Sequence, residues 1–204
     1  MNSLTRHSVT NRLNQTLPGK WAHQKMLPTH RKLEFSPSEL ANFHRSAVVI
    51  LLQQVDDKLF TFLVKRSSKM RNHPRQIGFP GGRVEAFESY QEAAIREGME
   101  EINLDAAECQ IIGKLSEMCI PTSQFIIHPF VAWCTQKDFQ IASPDEIECI
   151  IKLPLNEFIQ QDLITHEMVC EKNTSLLVPA YKFQEHIIWG ASGMILSELI
   201  EVLR

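Results

Sequence analysis

Residues 82–104 read GRVEAFESYQEAAIREGMEEINL, and the separations inside this stretch decide the fold. Five residues stand between Gly82 and Glu88, seven between Glu88 and Arg96-Glu97, and two more before Glu100-Glu101. With each position filled at an average usage of about 6–7 %, a chance match of these six residues in a chain this long has a probability of roughly 10⁻⁵. Ser89 and Glu92 form a capping box, so the pattern predicts a helix beginning near Tyr90. At about 100° per residue, Glu97, Glu100 and Glu101 share one face of that helix, while Ala94, Ile95, Gly98 and Ile102 gather on another. Three carboxylates about 6 Å apart repel one another by roughly 3 kcal/mol per pair at an effective dielectric of about 20. A hard divalent cation, Mg²⁺ or Mn²⁺, turns that repulsion into coordination. A merely solvated acidic face is the alternative, but Gly82 and Glu88 stand upstream in the same register. Gly81-Gly82, preceded by Phe79-Pro80, reads as a strand-to-loop turn whose backbone can approach a phosphate or a metal unobstructed.

These residues resemble the Nudix hydrolase box, G-x5-E-x7-R-E-U-x-E-E-x-G-U, where U is a bulky aliphatic residue. Gly82, Glu88, Arg96, Glu97, Glu100, Glu101 and Leu104 match it. Gly98 stands in place of the first aliphatic residue, at a helix-propensity cost of about 1 kcal/mol relative to Ala, offset if the helix lies closer to its sheet. Asn103 stands in place of the second glycine, as the next-best residue for a left-handed helix end. A second stretch, LVKRSSKMRNHPRQIGFPGG from Leu63 to Gly82, resembles the motif L-L-T-x-R-S-x3-R-x3-G-x3-F-P-G-G that precedes the box in coenzyme A pyrophosphatases. Leu63, Arg66, Ser67, Arg71, Phe79, Pro80, Gly81 and Gly82 occupy its fixed positions; Val64 stands where Thr is usual, and Arg75 where Gly is usual. Ile188–Ile195 resembles the family's W-G-x-T/S-x-x-I/M helix start, and Leu17-Pro18-Gly19 and Met26-Leu27-Pro28 are also similar to family members.

The resemblance implies an α+β protein, a Nudix-type α/β/α sandwich with a mixed β-sheet, in which residues 1–40 form an N-terminal extension packed on a domain of residues 41–204. It implies metal-dependent hydrolysis of coenzyme A or acyl-CoA to 3′,5′-ADP and (acyl-)4′-phosphopantetheine. Glu97 and Glu101 are the first candidates for ligands of Mg²⁺ or Mn²⁺, and Glu100 is either a further ligand or the base that receives the proton of water. Arg96 is expected to orient a glutamate, Glu88 to hold Arg96 or a metal-bound water, and a carbonyl of Gly81 or Gly82 to add a ligand. Arg66 and Arg71 carry guanidinium forks suited to phosphates, and Phe79 either stacks on substrate or packs in the core. His128 reads as a satisfied core histidine, Asp145-Glu146 as a loop cap, and Trp189 as packing under the last helix. Two alternatives stand: the same reaction on a nucleotide sugar, dinucleotide or nucleoside triphosphate, or a ligand-sensing module without turnover. The intact Glu97, Glu100 and Glu101 argue against the sensor.

The rest of the chain is consistent with one domain of ordinary composition: 204 residues, 44 % hydrophobic and 22 % charged. A net charge of −3 gives no reason to expect nucleic acid, and no apolar run or N-terminal signal core points to a membrane, so a cytoplasmic location is expected. A homodimer is compatible with the sequence and not required by it. Cys109, Cys119, Cys134, Cys149 and Cys170 are odd in number, spread out and without a C-x-x-C pair, which reads as free buried thiols. Strands are expected at residues 46–53, 59–65, 110–117, 125–135, 148–153, 176–183 and 186–189, the first two joined across Asp56-Asp57-Lys58. Helices are expected at 155–162 and 191–203.

Overall fold

A continuous apolar run, AVVILL from Ala47 to Leu52, builds the spine of the molecule, whose computed structural model describes residues 4–28, 35–171 and 174–204. Helices α1 (Arg6–Leu13), α2 (Lys20–Gln24) and α3 (Pro37–Leu40) precede that spine, strand β1 (His44–Val55). Then follow β2 (Lys58–Arg66), β3 (Ile77–Gly78), β4 (Gly81–Arg83), α4 (Tyr90–Ile102), β5 (Cys109–Lys114), β6 (Met118–Ile120) and β7 (Phe125–Cys134). The chain closes with β8 (Ile147–Pro154), α5 (Leu155–Gln160), β9 (Ile164–Glu171), β10 (Thr174–Phe183), β11 (His186–Trp189) and α6 (Gly190–Leu203).

The main sheet runs β3-β2-β1-β7-β5, with β4 on β1, β6 on β7 and β8 on β2. Its one parallel pair, β1 with β7, extends from His44 opposite Phe125 to Leu52 opposite Trp133, so the sheet is mixed. Along its other edge β1 pairs first with β4, Ser46 to Val48 facing Arg83 to Gly81, and further on with β2. Strands β11-β10-β9 form a second, smaller sheet.

Side-chain alternation in β1 sends Ala47, Val49 and Leu51 to a core shared with Ala93, Ala94 and Ile102 of α4. Ile50 and Leu52 face the other core, with Met194, Leu196 and Leu199 of α6. Gly98 sits where a Cβ would crowd Leu104 and Val49, so its absence does let α4 lie close to the sheet. Asn103 caps α4 at φ 56°, ψ 44°, the left-handed conformation anticipated for it. No helix among the described residues is long and apolar enough to cross a membrane.

Several details differ from the sequence reading. The strand expected at 110–117 ends early, at Lys114 of β5, and a separate strand that was not expected, β6, begins at Met118; both are antiparallel to β7. Strand β9 was hidden in ITHEMVCE, a polar segment that becomes a strand by pairing with β10. Of the five free buried thiols expected, Cys109 and Cys134 are instead disulfide-bonded, and of the three free ones Cys119 and Cys149 are half-buried and Cys170 is exposed. These two cysteines face each other in the β5–β7 register, at a Cα separation of 4.3 Å. Sequence spacing could not show that pairing, which only the strand register creates.

The N-terminal helices are clamped by one buried acid. Glu198, fully buried in α6, accepts from Gly19 N (3.1 Å), Ser116 Oγ (2.7 Å) and Ser116 N, and pairs with His23 Nε2 at 2.8 Å. Desolvation pushes its pKa up, but the hydrogen bonds from His23 and Ser116 outweigh burial and hold it below the ordinary carboxylate value of 4.5. Because the folded pKa lies below the unfolded one, the stabilisation is present above pH about 4.5 and is lost as pH falls through the folded value. Glu198→Gln is therefore expected to cost about 3 kcal/mol or more at pH 7. Melting curves of the two proteins should draw together as pH is lowered from about 4.5 through the folded-state value of Glu198.

Candidate functional site

Where β4 runs into α4, the backbone of the diglycine meets the acidic face of the helix. A Cβ on Gly82 would occupy the position of the Glu97 carboxylate, and one on Gly81 would collide with the backbone of Ala47 and Val48. Glycine is thus required at both positions for different reasons: Gly82 leaves room for an acid, whereas Gly81 lets β4 lie against β1. The helix start is set by the expected capping box, Glu92 N donating to Ser89 Oγ (3.2 Å) and Ser89 N to Glu92 Oε2 (2.7 Å).

One guanidinium organises the acids. Arg96 donates through Nε and Nη2 to the two oxygens of Glu88 (3.0 and 2.9 Å), through Nη1 to Glu97 Oε1 and Glu100 Oε2 (both 3.0 Å), and through Nη2 to the carbonyl of Arg83 (3.1 Å). The bidentate contact falls on Glu88, which also accepts from Glu85 N at 2.6 Å; hydrogen bonding to Arg96 first, and to Glu85 second, holds its pKa below the ordinary value. The same contacts keep Arg96 more firmly protonated than a free arginine.

Glu97 and Glu101 are different. Glu101 is 3 % exposed; its Oε2 accepts from Gly81 N at 3.1 Å, and Arg66 Nη1 stands 3.8 Å from its Oε1. Desolvation pushes its pKa up to about 7, with the charges of Glu97 and Glu146 adding to the rise and Gly81 and Arg66 opposing it. Glu97 is raised for the same first reason, desolvation, against the pull of Arg96. Two acids whose ionisation is made costly by burial, beside a glycine-made gap, form a place where a cation would lower the free energy.

Among the described residues no three acidic, cysteine or histidine side chains converge on one ligand point. Glu100, whose side chain is 58 % exposed, is turned to Arg96 instead of sharing a point with Glu97 and Glu101, as the sequence pattern had suggested. The donor set still fits a hard divalent ion, which commonly takes one or two carboxylates and fills its remaining positions with water and substrate phosphate.

A cleft of about 370 Å³ opens beside the diglycine, lined by Arg66, Gln76, Gly81, Gly82, Trp189 and Ser192 among others. Of the other anticipated residues, Arg71 is exposed and outside this lining, and Phe79, only 5 % exposed, packs in the core instead of meeting a ligand. Trp189, expected to pack under the last helix, precedes α6 and is half-buried on the cleft wall. His128 stacks on Tyr90 at 3.8 Å and its Nδ1 stands 3.6 Å from Glu117 Oε2, yet its Nε2 is buried without a partner among the described residues, so it is not the satisfied histidine expected. Glu146, read as a loop cap, adds its charge to both buried glutamates, and its carbonyl accepts from Ser67 N at 2.7 Å. Arg75 takes φ 60°, the conformation a glycine would supply, and donates its N–H to the Arg66 carbonyl at 3.1 Å. The loop keeps its shape, at a local strain of roughly 1–2 kcal/mol.

A model of the NUDIX domain matches residues 43–169. Over 166 residues the chain is 27 % identical to the Nudix hydrolase NudL of Photorhabdus laumondii, an alignment covering 81 % of this chain and 88 % of that one. Over 175 residues it is also 27 % identical to Nudix hydrolase 3 of Caenorhabditis elegans, covering 77 % and 72 % respectively. A solved MutT/nudix family protein of Enterococcus faecalis superposes with a TM-score of 0.53 at 15 % identity, over 100 % of this chain and 75 % of that one, which bears out the α+β fold with a mixed sheet.

The two glycines can be told apart by substitution. Gly82→Ala is met by the flexible end of Glu97, so it should leave the melting temperature within a few degrees while displacing that carboxylate, and diphosphate hydrolysis should fall about a hundredfold. Gly81→Ala meets backbone and should cost about 1–3 kcal/mol of stability in a denaturant titration.

Proposed function

The chain belongs to the Nudix hydrolase family and is a pyrophosphatase, and on that premise we propose that it cleaves the diphosphate of coenzyme A or an acyl-CoA, giving 3′,5′-ADP and (acyl-)4′-phosphopantetheine. The observation that carries the substrate reading is the placement of Arg66. This residue of the upstream motif stands against Glu101 of the box and also lines the cleft, so the two motifs meet at one site.

Nudix enzymes use divalent metals, and here Glu97 and Glu101 would hold Mg²⁺ or Mn²⁺, which supplies charge neutralisation of the diphosphate and acidifies bound water. The remaining work falls to the chain's own groups. Arg96 locks Glu97 and Glu100 in place, and Glu88 locks Arg96. Glu100, with Oε2 on Arg96, is the candidate to take the proton of the attacking water as its oxygen bonds to phosphorus and the bridging P–O bond breaks. Arg66 faces the diphosphate and stabilises charge developing on it. A sensing module is disfavoured because Glu97, Glu100 and Glu101 are all kept, whereas a sensor could lose them without penalty.

A substrate panel in Mg²⁺ and Mn²⁺, comparing coenzyme A, acyl-CoA, ADP-ribose, NADH and dinucleoside polyphosphates, is expected to put coenzyme A or acyl-CoA first. A lead for ADP-ribose would defeat the assignment, and no turnover of any would favour the binding module. Glu101→Gln should lower kcat by at least about a hundredfold. Since Glu101 pays a desolvation penalty once it ionises above pH about 7, the same variant should melt no lower than the parent at pH 8 in EDTA. Near-parental kcat would remove Glu101 from the site.

A further inference from the structure

By the alternation of β1, Ser46 and Val48 lie on the face of Ile50 and Leu52, which α6 covers, and both line the cleft beside Ile127 of β7. The cleft therefore occupies the sheet face opposite α4. It meets Glu97 and Glu101 at Gly81-Gly82, where no side chain intervenes.

The three tryptophans of the chain differ in what holds them. Trp21 lies under the Lys25 ammonium, 4.2 Å from its ring centroid, and Trp133 packs on the larger apolar core. Trp189, half-buried on the cleft wall, is packed against neither core, and its indole has no ring contact or hydrogen bond among the described residues. Its backbone is nevertheless fixed, paired with Ala180 of β10 and followed at once by α6. A large aromatic surface held rigidly against a cavity, without a partner of its own, is a platform for a planar ligand. Gln76 is the second unused group in the lining. Its carbonyl accepts from Arg66 N (2.9 Å) and its N–H donates to His73 O (3.3 Å), so its place beside Arg66 is set. Yet its half-buried side-chain amide has no partner among the described residues, leaving one acceptor and two donors for a ligand.

We infer that Trp189 and Gln76 form a nucleobase subsite in the cleft: an adenine ring stacks on the indole, while the Gln76 amide accepts from its N6 amino group and donates to N7. The inference rests on the proposed substrate, whose one aromatic ring system is adenine; the pantetheine arm has no planar ring to lay on an indole. Stacking tolerates any base, so the amide supplies the choice. Adenine presents a donor beside an acceptor and matches a side-chain amide at two points, whereas guanine presents two acceptors there.

The test uses the full chain. In the double variant Trp21→Phe, Trp133→Phe, Trp189 is the sole indole, and its fluorescence is titrated in EDTA with AMP, GMP and 4′-phosphopantetheine. AMP is expected to quench it at lower concentration than GMP, and phosphopantetheine to leave it unchanged. In turnover of coenzyme A, Trp189→Ala should raise KM about tenfold or more with kcat within about twofold, and Trp189→Phe should recover most of that loss. Gln76→Leu should bring AMP and GMP to equal affinity. Should the double variant or Trp189→Ala fail to fold, calorimetry of the two nucleotides on the parent and on Gln76→Leu decides, from a side chain that no described residue holds. Quenching by AMP without hydrolysis of coenzyme A removes the substrate reading and leaves the subsite. Quenching by phosphopantetheine in place of AMP, no quenching by any of the three, equal affinity of the parent for AMP and GMP, or an unchanged KM for coenzyme A in Trp189→Ala overturns the subsite.

Discussion

A single guanidinium holds the acidic helix to the strand it faces. Arg96 makes five hydrogen bonds, four to carboxylate oxygens of Glu88, Glu97 and Glu100 and one to the carbonyl of Arg83. Without it, four glutamates within two helical turns and the preceding loop would repel one another, and the loop between β4 and α4 would lose its tie to the sheet. Because Arg96 takes up the charge of Glu88, Glu97 and Glu100 unequally, the acids are not equivalent. Glu88 takes two of the guanidinium's hydrogen bonds and Glu97 and Glu100 one each; Glu100 stands exposed at the surface, and Glu97 is left partly buried beside Gly82.

Two buried glutamates show how the same side chain is made structural or reactive. Glu198 lies in α6 with donors from Gly19, His23 and Ser116, and hydrogen bonding keeps its charge despite complete burial. Glu101 is almost as buried but receives one backbone N–H and a distant guanidinium, so desolvation prevails and its pKa rises to about 7. The difference is the number of donors and not depth. Conflicts of this kind between burial and charge concentrate where a protein does chemistry, and the rest of the fold offsets them. Here the offset comes from two apolar cores, one on each side of β1, and from the Glu198 clamp.

Arg75 and Gly98 show a fold absorbing departures from a family's pattern by different means. Arg75 accepts a left-handed backbone and its strain, since the loop it closes needs that turn for Arg66 to reach Glu101. Gly98 gives up helix propensity and lets α4 approach Val49. Neither alters a carboxylate.

Local signals were legible because their physics is local. The capping box of Ser89 and Glu92, the left-handed cap at Asn103, the turn at Asp56-Asp57 and the acidic register of α4 all depend on neighbours within a few residues, and the amino-acid sequence by itself determined them. Contacts set by strand register and sheet order were not readable in this way. Cys109 meets Cys134 only because β5 and β7 align, and β9 exists only through β10. Phe79 turns into the core and Trp189 to the cleft. A one-residue slip in such a register moves every side chain to the opposite face, so these placements belong to the tertiary structure alone.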